Sequence, residues 1–192
     1  MDFGRLTDAD RDRLARYAAN LRLYYGLLDG ATEDGRPLRL KHNLIRPIID
    51  VATDWTVGPE SGWQVLGESA SETERLTQAA VDVWDRSGGH AAFARAVQTA
   101  LVYGDLAACA RRTESGATVL FPDPSVCLPT FAPDDCSVLE SLRIDYALPG
   151  GGRRSEEIDP ATAAWLPNRA ILGRSFGEGE AECVHELVIE YD

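Results

Sequence analysis

The spacing of apolar residues changes once along this chain, at Asp105, and that change restricts the fold more than any other feature. Before it, Leu14, Tyr17, Leu21, Tyr24, Tyr25 and Leu28 recur at helical intervals, as do Leu44, Ile45, Ile48, Ile49 and Ala52. After it, Leu106 to Arg112, Thr118 to Phe121, Leu139 to Leu148 and Val184 to Tyr191 are short β-leaning runs set off by Pro, Gly and Asp. Leu142, Ile144, Tyr146 and Leu148 alternate with Arg143, Asp145 and Ala147, as a half-buried strand requires. Helices followed by strands give an α+β fold with segregated layers. The expectation is N-terminal helices packed against a C-terminal antiparallel β-sheet. Residues 1–105 form the mainly helical part and 106–192 the β-rich part, and a last strand that stops with the chain suggests truncation.

Local punctuation places the helices. Thr7 and Asp10 resemble an N-terminal cap, and Gly26 and Gly30 fray the end of the first helix before a polar loop from Ala31 to Pro37. Asn43 caps a second helix, with Pro47 near its first turn, and Thr56-Val57-Gly58-Pro59 ends it. Ser71-Glu72-Thr73-Glu74 predicts a capping box for a third helix with Leu76, Ala79, Ala80, Val83 and Trp84 inward; Ser87-Gly88-Gly89 breaks it. A fourth helix turns Phe93, Val97, Ala100 and Leu101 inward and stops at Gly104. Gly150-Gly151-Gly152-Arg153-Arg154 reads as a flexible turn.

The 192 residues carry 31 acids against 19 bases, a formal net charge of −12. Only Lys41 among the bases is a lysine, a bias that reads as genomic composition. The balance argues against a protein that grips a nucleic-acid backbone, because such affinity comes from neutralising phosphates. The surplus is uneven: residues 1–60 hold 10 acids and 9 bases, whereas residues 133–192 hold 13 and 5. The start, Met1-Asp2-Phe3-Gly4-Arg5, lacks the pattern of a signal peptide, and no run approaches the ~18 apolar residues of a membrane span.

Catalytic chemistry finds little footing. Cys109, Cys127, Cys136 and Cys183 are too far apart for a zinc knuckle or a redox dithiol and read as reduced, mostly buried thiols. Of the three histidines, His42 precedes a helix, His90 follows a double glycine, and His185 shares a strand face with Cys183 in a chelate-capable i, i+2 pair. Asp50 and Asp54 could pair as carboxylates or simply lie on a solvated face. There is no Gly-x-Ser-x-Gly, P-loop or Gly-x-Gly-x-x-Gly after a strand, and Arg111-Arg112 and Arg153-Arg154 are too short for a nucleic-acid patch. No catalytic, cofactor-binding or metal residue is singled out. The expectation is no enzyme and no cofactor.

Five segments in order resemble the N-terminal half of tailed-bacteriophage portal proteins of SPP1-like architecture. Leu23-Tyr24-Tyr25-Gly26 is similar to the tyrosine-rich helix and glycine that open these portals. Asn43 through Asp50, followed by Val57-Gly58-Pro59, resembles an asparagine-led helix with its glycine turn. Val83-Trp84-Asp85-Arg86-Ser87 has the family's aromatic but a serine where asparagine is usual. Ala100 to Asp105 resembles the helix end and Tyr103-Gly104-Asp105 turn leading into the first strands. Pro122-Asp123-Pro124-Ser125-Val126 with Pro129 looks like a proline-flanked segment that places a strand. The structural residues so marked are Tyr25, Gly26, Asn43, Asp50, Gly58, Trp84, Tyr103, Gly104 and Asp105.

The resemblance implies the wing portion of a phage or prophage portal subunit. Its homo-oligomeric ring, usually dodecameric, sits at one capsid vertex of the virion after assembly in the host cytoplasm. The large terminase, capsid and head-completion proteins would be its partners, and double-stranded DNA would pass without sequence-specific binding; no membrane is implied. The alternative is a stand-alone α+β binding or metal-dependent enzymatic domain using Cys183 and His185.

Overall fold

A computed structural model of the chain describes residues 6–31, 35–39, 42–58, 65–169 and 174–189. Met1 to Arg5, Lys41, Pro59 and the end of the chain from Glu190 lie outside the described residues. The fold is α+β: among the described residues there are five α-helices, a small hairpin and two three-stranded antiparallel sheets.

Helix α1 (Asp8–Tyr24) starts on a capping box, with the Thr7 Oγ1 accepting from the Asp10 N–H at 3.1 Å and the Asp10 carboxylate accepting from the Thr7 N–H at 3.1 Å. Its buried stripe is Arg13, Tyr17, Asn20 and Tyr24, at i, i+4, i+7 and i+11. Leu14 and Leu21, expected at the centre of that face, stand at its margin. Beyond the helix, β1 (Leu27–Ala31) and β2 (Pro37–Arg39) pair as a hairpin, so Leu28, expected at the end of the helical run, stands on a strand, and Ala31 and Pro37, expected to bound a loop, are strand residues.

Asn43 joins two helices. Its Nδ2 donates to the Tyr24 carbonyl at 2.9 Å, closing α1, while its Oδ1 accepts from the N–H groups of Ile45 and Arg46 at 3.2 and 3.4 Å, opening α2 (Ile45–Val57). Gly26 makes room for it: its φ is +69°, and a Cβ there would meet the Asn43 side chain at 3.0 Å. Gly58 ends α2 with φ −39°, so this turn does not need a left-handed residue.

Helix α3 (Ala70–Arg86) begins two residues earlier than expected. Its cap is Ser69, whose Oγ accepts from the Glu72 N–H at 3.2 Å, while the Glu72 carboxylate accepts from the Glu68 N–H at 2.9 Å. None of its residues is fully buried; Leu76, Ala80, Val83 and Trp84 are half-buried and Ala79 is exposed. Gly88, left-handed at φ +93°, starts α4 (Gly89–Tyr103), which buries Ala96, Val102 and Tyr103 most deeply. The expected inward residues Phe93, Val97, Ala100 and Leu101 are half-buried.

One sheet has the order β4-β3-β8, from β3 (Asp105–Thr113), β4 (Gly116–Leu120) and β8 (Ala163–Pro167). The other has the order β5-β6-β7, from β5 (Cys127–Phe131), β6 (Leu139–Ala147) and β7 (Arg153–Ile158). The expected alternation in β6 holds, with Leu142 and Ile144 buried and Leu148 out in solvent just past the strand. Pro129 falls on β5, an edge strand, where its missing N–H breaks no ladder. Strands β5, β7 and β8 carry no clear alternation, although the proline-flanked segment ending at Pro129 marks a strand where β5 runs; β7 (Arg-Arg-Ser-Glu-Glu-Ile) is mostly charged, which suits an edge.

The segment expected as a last strand is instead helix α5 (Glu180–Ile189). Its β-branched residues suggested a strand, but Ala181, fully buried, docks the helix on the helical core with Tyr17, Tyr24, Ile45, Ile49, Val102 and Tyr103. Tertiary packing overrides a weak propensity here. A second core, Ala107, Cys109, Cys127, Leu142, Ile144, Ile158 and Trp165, lies between the two sheets.

Gly104 is the hinge between the cores. It caps α4 at φ +91° and sits so close to the 178–179 backbone that a Cβ would stand 2.7 Å from both the Glu178 carbonyl carbon and the Gly179 nitrogen. Gly104→Ala therefore combines left-handed strain of ~1–2 kcal/mol with overpacking of ~1–3 kcal/mol. Urea denaturation should show a stability loss of at least about 2 kcal/mol.

Candidate functional site

The residues of the Tyr103-Gly104-Asp105 turn meet at a buried polar joint. The hydrogen bond that continues α4 into its cap runs from the Gly104 N–H to the Ala100 carbonyl at 2.8 Å, and the Gly104 carbonyl accepts from the Asn168 N–H at 2.8 Å. The chain thus passes from helix to strand in one residue. That places Asp105 at the first position of the central strand of its sheet, with 0% of its surface exposed.

Four donors converge on the Asp105 carboxylate. Oδ2 accepts from the Tyr17 hydroxyl at 2.6 Å and from Arg16 Nη2 at 3.4 Å. Oδ1 accepts from the Gly177 N–H at 2.9 Å and from Trp165 Nε1 at 3.2 Å. They come from α1, from β8 and from the segment leading to α5, so one side chain ties three parts of the chain to β3. Burial raises the Asp105 carboxyl above the ordinary carboxylate range, and the Tyr17, Gly177, Arg16 and Trp165 interactions work against that rise. Burial and the neighbouring Asp105 charge also raise the Tyr17 hydroxyl, so it remains a proton donor at neutral pH.

Arg13 completes the joint and was not singled out in the sequence. It is 2% exposed; Nη1 donates to the Pro124 carbonyl at 3.1 Å and Nη2 to the Cys127 carbonyl at 2.7 Å. Its guanidinium lies 5.2 Å from the ring centres of Tyr17 and Phe176 and 5.4 Å from that of Trp165. Through Arg13, α1 grips the turn before β5 and hence the second sheet. The available signal was positional: Arg13 precedes Tyr17 by four and Tyr24 by eleven residues, on one helical face. A hydropathy count discards an arginine there.

A second network stands at the other end of α1. The Tyr24 hydroxyl donates to Asp50 Oδ1 at 2.9 Å, and Gln98 Nε2 donates to the same oxygen at 2.9 Å. Arg46 lies 3.6 Å from Asp50 Oδ2 and 5.6 Å from the centre of the Tyr24 ring. Asp50 therefore binds α1, α2 and α4 together, while Asp54 points to solvent; the two do not form a carboxylate pair. Trp84 contacts Phe93, ring centres 5.4 Å apart, and joins α3 to α4. Tyr103 is buried against Tyr17 at 5.0 Å, its hydroxyl pushed up to about 12 mainly by burial. Tyr25, by contrast, is exposed.

The segment that carries the metal alternative is not a strand. Cys183 and His185 lie on α5 and not on the strand whose shared face was expected to hold them. Among the described residues, no group of three or more His, Cys, Asp or Glu could hold a metal ion. His42 and His90 are exposed. Cys109 and Cys127 are buried in the sheet core, and burial pushes the Cys127 thiol up to about 12, far from a reactive thiolate. Arg111 pairs with Glu156 at 2.6 Å rather than forming a basic patch with Arg112. No helix among the described residues is long and apolar enough to cross a membrane.

No known family model and no curated protein matches this chain.

The raised Asp105 carboxyl has a testable sign. Between its unfolded and folded values the folded state holds the extra proton, so its contribution to stability is full below the ordinary carboxylate pKa and is lost as pH rises through the folded value. The stability of the wild type relative to Asp105→Asn should therefore be greatest in acid and shrink toward neutral pH, as measured by denaturant titration at a series of pH values. A difference that grows with pH would mean that the four donors outweigh burial.

Proposed function

We propose that the chain is a subunit, or the wing portion of a subunit, of a tailed-phage portal ring, a structural protein through whose ring DNA is packaged and ejected. The observation that carries the reading is the use made of the portal-like segments. Tyr24, Gly26 and Asn43 lock α1 to α2, and Asp50 ties both to α4. Tyr103-Gly104-Asp105 turns α4 into the central strand and anchors it. These polar residues are spent on internal joints and hold a rigid scaffold, as a subunit under load in a ring would need.

Charge agrees with this role. In the acid-rich stretch 133–192, Asp145, Glu156, Glu178 and Glu180 face arginines, whereas Asp134, Asp135, Glu140, Glu157 and Asp159 are exposed. A net-negative wall lets a duplex slide with little adhesion, because no phosphate is neutralised and no counterion released. In this reading the protein needs no cofactor and catalyses no reaction; the terminase and head-completion proteins act on the same ring.

Electron microscopy of the purified protein tests the proposal. The expected result is closed rings with an opening that admits a duplex, together with no retention of duplex DNA in a gel shift at physiological salt. Monomers at every concentration, or tight DNA retention, would contradict it.

A further inference from the structure

Helix α2 is apolar on both faces. Ile45, Ile49, Thr53 and Val57 are buried against the helical core. On the opposite side Leu44, immediately before the helix, and Ile48, Val51 and Trp55 lie at i, i+4, i+7 and i+11, with exposures of 52, 45, 55 and 87%. Arg46, Asp50 and Asp54 form a polar flank on the same helix, so the outer stripe is a second, separate apolar face, and a contiguous stripe ending in an exposed tryptophan is the kind of surface that marks a protein contact.

A matching surface lies elsewhere on the same chain. A groove of about 350 Å³ between α4 and β4 is walled by Ala92, Ala96, Thr99, Val119, Leu120 and Phe121, with Arg95 exposed on its wall. This volume takes a bulky side chain. The groove and the α2 contact use different faces of α4: Gln98 reaches Asp50 on α2, whereas Ala92, Ala96 and Thr99 look into the groove. One chain therefore cannot fill its own groove with its own stripe.

The charges are complementary as well. Asp54, exposed, directly precedes Trp55, and neither Asp54 nor Arg95 has an ion-pair partner among the described residues. Asp123, which also lines the groove, is already engaged: its carboxylate accepts from the Ser125 N–H at 2.8 Å.

We infer that the outer stripe of α2 in one copy seats in the α4–β4 groove of the next, Trp55 entering the groove and Asp54 facing Arg95. This rests on the ring-subunit reading and names the surfaces by which its copies meet. The contact is heterologous, so repetition gives a ring if the rotation closes and a filament if it does not. A symmetric dimer through the stripes alone would bury four side chains a copy, well short of the ~800 Å² per partner of a stable interface, and would leave the groove empty. In the head-to-tail arrangement each copy is held at both surfaces.

Sedimentation velocity and electron microscopy of the full chain test the inference, with circular dichroism as a check that these exposed substitutions leave the fold intact. Wild type should associate with rising concentration. Trp55→Glu and Arg95→Glu should each weaken association at least about tenfold. Combining Asp54→Arg with Arg95→Glu should restore it to within about threefold of wild type, the charge pair being reversed but intact. Rings that survive Trp55→Glu and Arg95→Glu unchanged would overturn the inferred contact and leave the ring reading standing. Open filaments abolished by the same substitutions would support the contact and count against the ring. A wild type that stays monomeric would overturn both, and failure of the reversed pair to restore association would overturn the assigned pairing.

Discussion

The Asp105 carboxylate, with none of its surface exposed and four donors around it, is the constraint on which the rest of the architecture depends. A carboxylate taken out of water is expensive unless each lone pair is answered. The answers here come from α1, β8 and the segment before α5, so satisfying one side chain fixes the relation of the helical layer to the first sheet. The neighbouring Arg13 does the same for the second sheet through two carbonyls. The two hydrophobic cores are each modest. What makes them one structure is this polar seam between them.

Glycine serves the seam by removing atoms. Gly104 lets α4 stop and β3 start with no intervening loop, and its missing Cβ leaves room for the 178–179 backbone that brings Gly177 to Asp105. A tyrosine, a glycine and an aspartate in that order are thus three parts of one device. Tyr103 fills the helical core beside Tyr17, Gly104 turns the chain, and Asp105 collects the hydrogen bonds. The same logic recurs at the other end of α1, where Gly26 admits Asn43 and Asn43 caps two helices at once.

The α+β class and the boundaries of α1, α2 and α4 were legible because periodicity and capping are local: the Thr7 box, the Gly104 stop and the alternation of β6 all stand where the residues indicate. Three kinds of information were not local. The buried stripe of α1 includes Arg13 and Asn20, which look solvated until their tertiary partners are known. The Val184–Ile189 run has strand-like residues but docks as a helix because Ala181 fits the helical core. Short strands such as β7 carry almost no apolar pattern because they sit at an edge. Of the marked residues, Gly26, Asn43, Asp50, Trp84, Tyr103, Gly104 and Asp105 make joints, whereas Tyr25 is exposed and Gly58 adopts a backbone angle open to other residues.

Native-state hydrogen exchange on Tyr17→Phe tests the seam most directly. The substitution removes the 2.6 Å hydrogen bond to Asp105 and changes little else in volume. If the polar seam couples the two cores, the slowest amides of α4 and of β6 should lose protection together, by ~1.5–3 kcal/mol for a lost hydrogen bond to a charged group. Loss of protection in the helical layer alone, with β6 unchanged, would show that the cores open independently and would contradict the account.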